Sequence, residues 1–180
     1  MPLSAAATLS HLPNIAVCGL FDRYVDINVN RVMSSRTSIP IETTWRVRDH
    51  CLCLATQKAA RALARRFDDA FRPLELTSGQ FSILTSLNRE VPPPIGAVAE
   101  LLGLDRTTLT ANLKPLVKRR LAEIATDPND RRGRRLKLTP AGQALLKFAV
   151  PIWERTQSEA ERQLKGSGAD TLRSGLRALS

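Results

Sequence analysis

The stretch AELLGLDRTTLTANLKPLVKRRL, Ala99–Leu121, decides the fold. With Ile95 and Val98 just ahead, Ala99 and Leu102 complete an i, i+3, i+4, i+7 set of apolar positions, the spacing of one face of a short helix. Gly103 stands where a helix end can turn left-handed without a steric penalty, and Asp105 where a carboxylate caps the first free N–H groups of a new helix. In that second helix Leu109, Leu113, Leu116, Val117 and Leu121 line one face, while Arg106, Thr107, Thr110, Ala111 and Lys114 fall mostly on another. Two helices joined by a tight glycine turn form a helix-turn-helix. The second helix packs on one side and offers a short, polar, basic surface on the other. An interior proline loses a hydrogen bond and costs about 3 kcal/mol, so a bend is expected at Pro115.

Downstream, Ala122–Thr126 and Arg134–Leu138 alternate as strands do, with Ala122, Ile124, Leu136 and Leu138 facing in and Arg135 and Lys137 facing out. The expected connection is an arginine loop within DPNDRRGRRLKLTPAG, Asp127–Gly142, where Arg131, Arg132, Arg134 and Arg135 stand almost side by side. Like charges so close repel, and an anionic partner is expected to relieve them. Thr139 and Pro140 read as the N-cap and first residue of a long helix running toward Gly166. Its Leu145, Leu146, Phe148, Ala149, Val150, Ile152 and Trp153 are too many for one stripe, so two sides should be buried, the second by a partner subunit. Pro151 should kink this helix, and Leu172, Leu176 and Leu179 imply a last short helix after Gly166-Ser167-Gly168.

Upstream, Thr77-Ser78-Gly79-Gln80 is a capping box, and Phe81, Leu84 and Leu87 follow it on one helical face. Three prolines keep Asn88–Pro94 a loop. From Trp45 onward Ala55, Ala59, Leu63, Phe67 and Phe71 recur every fourth residue, an amphipathic helix ending near Pro73. The first 44 residues lack such periodicity and read as a loosely ordered extension.

The chain of 180 residues carries 27 Lys and Arg against 17 Asp and Glu, a formal charge of +10. Between positions 105 and 137 there are ten bases and four acids, more than half of that excess. A charge run is most often a solvated face. Here the charges coincide with a helix suited to reading bases and with a protruding hairpin, which points to nucleic acid. No apolar run is long enough for a membrane span, and the N-terminus makes a poor secretory signal, so a cytoplasmic protein that does not engage membranes is expected. Cys18, Cys51 and Cys53 have no disulfide-scaffold spacing. On one helix, positions 51 and 53 point about 200° apart and cannot share an ion. Neither a metal nor a cofactor is expected, and the two histidines with no nucleophile elbow or phosphate loop argue against an enzyme.

Residues 45 to 165 resemble the multiple-antibiotic-resistance regulator (MarR) family of winged-helix transcription factors. The resemblance rests on LTSGQFSIL, on AELLGLDRTTLTANLKPLVKRRL and, above all, on DPNDRRGRRLKLTPAG, where Asp130, Arg132, Leu138, Thr139 and Gly142 match the family's wing. It implies a mainly α-helical fold with a small β-hairpin wing, a winged helix-turn-helix domain joined to an α-helical dimerisation domain. The corresponding organisation is an extension over 1–44, a dimerisation helix over 45–76, the DNA-binding domain over 77–139 and C-terminal dimerisation helices over 140–180. It further implies a homodimer that places each recognition helix in a major groove of double-stranded DNA and each wing in the flanking minor groove. Arg106, Thr107, Thr108, Thr110 and Lys114 would reach base edges or phosphates. Arg132 is expected to enter the minor groove, oriented by Asp130, while Arg131, Arg134 and Arg135 face phosphates.

A pseudo-palindromic operator and action as a repressor are expected, with a small-molecule effector as a further partner. The family places such an effector between the dimerisation helices and the winged helix, where Phe67, Phe71, Phe81, Phe148 and Trp153 would contribute. Those aromatics are equally well explained as core. Two alternatives stay open. One is a non-specific architectural or nucleic-acid-binding protein using the same charge. The other is a peroxide sensor, because LCLAT around Cys53 is similar to a segment of the family's hydroperoxide-sensing branch. That branch has tyrosines where this chain has Gln57 and Phe67. A small buried residue near the dimer interface is therefore the commoner role for Cys53.

Overall fold

The computed structural model describes residues 38–128, 130–164 and 168–179, without the side chain of Arg131. The chain divides between Asp49 and His50 into two units. The helix α1, Ile41–His50, which begins within the stretch read above as an extension, belongs to the first unit up to Asp49.

The second unit opens with α2, Leu52–Phe71. The continuous apolar pattern gave no sign of a boundary at Cys51, which has extended backbone and caps α2 by accepting the Leu54 N–H on its Sγ at 3.4 Å. A single 3-10 turn, Arg72–Leu74, follows, and Glu75 ends it in a left-handed conformation. The capping box then forms as the sequence predicts: Thr77 Oγ1 accepts the Gln80 N–H at 3.2 Å, and Gln80 Oε1 accepts the Thr77 N–H at 3.1 Å. It starts α3, Ser78–Ser86, which buries Phe81, Ile83 and Leu84. Past the proline loop, α4, Ile95–Leu101, buries Val98 and Ala99. Gly103 takes φ +60° and Asp105 caps α5, Arg106–Lys118, in which Leu109, Leu113 and Leu116 are buried. The helix runs on through Pro115, in its last turn.

The hairpin departs from expectation at its tip. Strand β1 spans Ala122–Asp127 and β2 spans Asp130–Leu138, paired antiparallel with Ala122 opposite Leu138 and Ile124 opposite Leu136. The arginines therefore lie in a strand rather than in a loop. Asp130 pairs with Asp127 and Arg134 with Thr126, and the register shifts between these two pairs, so the arginine-rich stretch runs within the ladder rather than beyond it. Helix α6, Pro140–Glu161, starts at the Thr139 cap and continues through Pro151. It ends short of Gly166, which with Ser167 lies outside the described residues. Helix α7 is Ala169–Arg177, tied to α6 by Arg173, which donates to Glu161 and Asp170.

One core joins the end of α2 to α3, α4, α5, the hairpin base and the first half of α6 through Phe71, Phe81, Leu84, Leu113, Leu136 and Ala149. Burial of about 1.5–3 kcal/mol per Phe or Leu side chain holds the helix-turn-helix against both neighbours. The predicted face of α2 is buried only at its lower end: Ala55, Ala59 and Leu63 are exposed, Phe67 is half-buried and Phe71 fully buried. In α6, Leu146 and Ala149 face the core, but Phe148 is 67% exposed and Trp153 38%.

Candidate nucleic-acid interface

The basic helix is held by its first turn. Asp105 accepts the Thr108 N–H on Oδ1 at 2.8 Å and the Thr108 hydroxyl on Oδ2 at 2.7 Å. The bond from the Thr108 backbone, then that from its hydroxyl, holds the Asp105 carboxyl below the ordinary aspartate value. Its negative charge also complements the helix dipole. Thr110 donates its hydroxyl to the Arg106 carbonyl at 2.7 Å. Both threonine hydrogens are thus committed within the helix, and what these exposed side chains offer outward is methyl groups and oxygen lone pairs. Arg106, Thr107 and Lys114 are exposed on the same helix, while Leu109 and Leu113 fix its opposite face in the core.

Alternation along β2 sorts the wing. Arg134 lies opposite Thr126 and shares a hairpin face with Leu136 and Ile124. Arg132, in the irregular stretch between the last two ladder pairs, is exposed, with its backbone N–H bonded to Asp130 Oδ1 at 2.9 Å. Asp130 thus acts on Arg132 through the main chain. Arg135 lies on the other face, and here the expectation must be corrected. Instead of facing outward to phosphates, its guanidinium donates to Asp127 Oδ2 at 2.8 Å and to the Pro92 carbonyl at 2.9 Å. The side chains of Arg135 and Asp127 are only 24% and 12% exposed. A carboxylate two residues along the opposite strand and a free proline-loop carbonyl outcompete solvent for this cation. The side chain of Arg131 lies outside what is described. Ile124 faces as expected but, above the rim of the core, is 47% exposed.

Sequence reasoning assigned no role to Arg119. At the end of α5 it donates to the Leu74 and Glu75 carbonyls at 3.1 and 2.5 Å. Asp127 and Pro92, the partners of Arg135, were also missed.

The five aromatics do not converge on a cleft. Phe71 and Phe81 stack in the core with centroids 4.7 Å apart, Phe67 packs beside Phe71 at 6.1 Å, and Phe148 and Trp153 face outward. A cleft of about 290 Å³ instead lies between α5 and β1, lined by Thr110, Leu113, Lys114, Val117, Lys118 and Ile124. In the single protomer Cys53 is exposed, with the Gln57 amide 3.2 Å from its Sγ. Among the described residues no group of three or more His, Cys, Asp or Glu could hold a metal ion, and no helix is long and apolar enough to cross a membrane.

A helix-turn-helix whose second helix exposes a basic face beside an arginine-bearing hairpin is a winged helix-turn-helix. The family model described as MarR family matches residues 74–133. The transcriptional regulator MosR of M. tuberculosis, solved in complex with DNA, is similar at 33% identity, over 72% of this chain and 93% of that one, with a TM-score of 0.66. The transcriptional repressor CouR, bound to a 23-mer DNA duplex, is similar at 28% identity over 74% and 94% of the two chains, TM-score 0.66. A MarR mutant from E. coli complexed with operator DNA shares the fold, at 24% identity over 74% and 96%, TM-score 0.66. The chain belongs to the MarR family of winged-helix, DNA-binding transcriptional regulators.

Proposed function

We propose that the protein is a homodimeric repressor that reads a pseudo-palindromic operator with half-sites about one helical turn apart. The observation that carries this reading is the exposed face of α5, fixed by the Asp105 cap and by buried Leu109 and Leu113. On that face Arg106 is suited to guanine, while the methyls of Thr107, Thr108 and Thr110 are suited to thymine. Lys114, Arg134 and Arg131 neutralise phosphates, and Arg132, ordered by Asp130, enters the minor groove. Dimerisation is supported by the outward Phe148 and Trp153 of α6, by Leu172 and Leu176 of α7 and by Leu179 just past its end, large apolar side chains left exposed in one protomer. A small effector would release DNA by favouring a separation of the two recognition helices that no longer matches the grooves.

Selection of bound duplexes from a random DNA pool tests this reading. A two-fold related motif is expected, together with a dimer in sedimentation. A monomer binding every duplex equally would instead indicate a non-specific architectural protein. The exposure of Cys53 favours a second reading, a thiol switch. DNA release on peroxide treatment that persists in Cys53→Ser would exclude it.

A further inference from the structure

We propose that Arg135 is a positioning residue: together with Asp127 and the Pro92 carbonyl it braces the wing at a fixed height over the helix-turn-helix, so that Arg132 and Arg134 meet DNA in register with α5. The proposal rests on the DNA-reading function argued above and adds to it a device that sets where the minor-groove probe stands.

Three features converge on the brace. Arg135 makes two bonds in different directions, to a carboxylate near the hairpin tip and to the loop before α4. The same loop meets β2 through its backbone, since the Leu136 N–H donates to the Pro93 carbonyl at 2.9 Å and Pro94 bridges to Arg135. Gly133, on the same hairpin face, leaves the space Asp127 occupies, because a Cβ there would stand 2.9 Å from the Asp127 Cβ. An unbraced two-stranded ribbon is marginal in water and twists freely. A wing that must enter a narrow groove while α5 sits in the neighbouring one needs its height set, and a planar fork held by two acceptors sets it better than a flexible ammonium.

The test uses the full-length protein and a duplex recovered by the wild type from a random pool, with affinity measured across a salt series. Arg135→Met, Arg135→Lys and Asp127→Ala are each expected to weaken binding about tenfold, with the slope of log affinity against log salt kept at the wild-type value. Combining Asp127→Ala with Arg135→Met should add little to either. Gly133→Ala, which changes no charge, should show the same loss by displacing Asp127. Arg134→Met, in contrast, should lower the slope by about 1, as expected for one phosphate contact. Near-wild-type binding by Arg135→Lys, with a slope reduced by about 1 in Arg135→Met, would overturn the proposal, because a phosphate contact needs only charge. In the free protein the Arg135 Nε–H should exchange slowly and lose that protection in Asp127→Ala. A fast-exchanging Nε–H in the wild type would overturn the brace itself. A wild type that selects no motif would overturn the DNA-reading function instead, and the two failures are separable.

Discussion

A Cβ atom on Gly142 would overlap the carbonyl oxygen of Leu121 and stand 2.8 Å from a methyl of Leu138. That carbonyl accepts the Thr139 N–H at 3.2 Å, and Thr139 Oγ1 donates to the Arg120 carbonyl at 2.7 Å while accepting the Gly142 N–H at 3.0 Å. The first turn of α6 thus lies directly on the backbone that leaves α5. Gly142→Ala is expected to destabilise the protein by about 3 kcal/mol, visible as a lower denaturant midpoint. An unchanged midpoint would show that the contact relaxes without cost.

Arg120 holds φ +57°, a left-handed backbone that costs a residue with a side chain about 1–2 kcal/mol. Its carbonyl bond to Thr139 needs no side chain. Arg120→Gly should therefore raise the melting temperature by a few degrees, net of the greater freedom of glycine in the unfolded chain. Calorimetry checks this, and a lower melting temperature would refute it.

Asp105 ties the start of α5 to its pH response. Hydrogen bonds to the ionised carboxylate depress its folded pKa, so its contribution is complete above the ordinary aspartate range and is lost as pH falls through the depressed value. Exchange protection of the Thr108 N–H should fade over that acid range. Asp105→Asn, which keeps an acceptor, should remove this pH dependence, and Asp105→Ala should lower the denaturant midpoint at neutral pH.

On α5 the two cations should behave differently. Lys114→Ala is expected to weaken all duplexes alike and to lower the salt slope by about 1. Arg106→Ala should cost about 1–3 kcal/mol mainly at one base pair and relax the preference there. A uniform loss for both would assign Arg106 to the phosphate backbone.

Phe148→Asp places a charge on the exposed apolar side of α6 without touching the core residues Leu146 and Ala149. Sedimentation should then report a monomer with an unchanged helical spectrum, and operator affinity should fall steeply. A variant that remains dimeric would remove Phe148 from the interface.

What could be read from the sequence was local. The Thr77, Asp105 and Thr139 caps each bond a backbone N–H three residues ahead, and Gly103 needs only its own dihedral freedom, so their residue types announce them. The break at Cys51 was hidden because a thiol is not among the usual cap acceptors. The path of β2 was hidden because charge density reads as a loop until a pairing strand is known. For Arg135 the deciding partners are the Pro92 carbonyl, 43 residues away in sequence, and a carboxylate across the hairpin, relationships that no spacing rule contains. The DNA-facing assignments on α5 came from helical periodicity, which places side chains on faces. The wing assignments came from charge and from the resemblance of the Asp130-to-Gly142 motif, neither of which says where the Arg135 side chain points.

Arg119 grips the carbonyls of Leu74 and Glu75 at the elbow where α2 gives way to α3. The C-terminal cap of α5 is thereby fastened to the backbone that links α2 to α3, so the long helix and α5 meet at one shared joint.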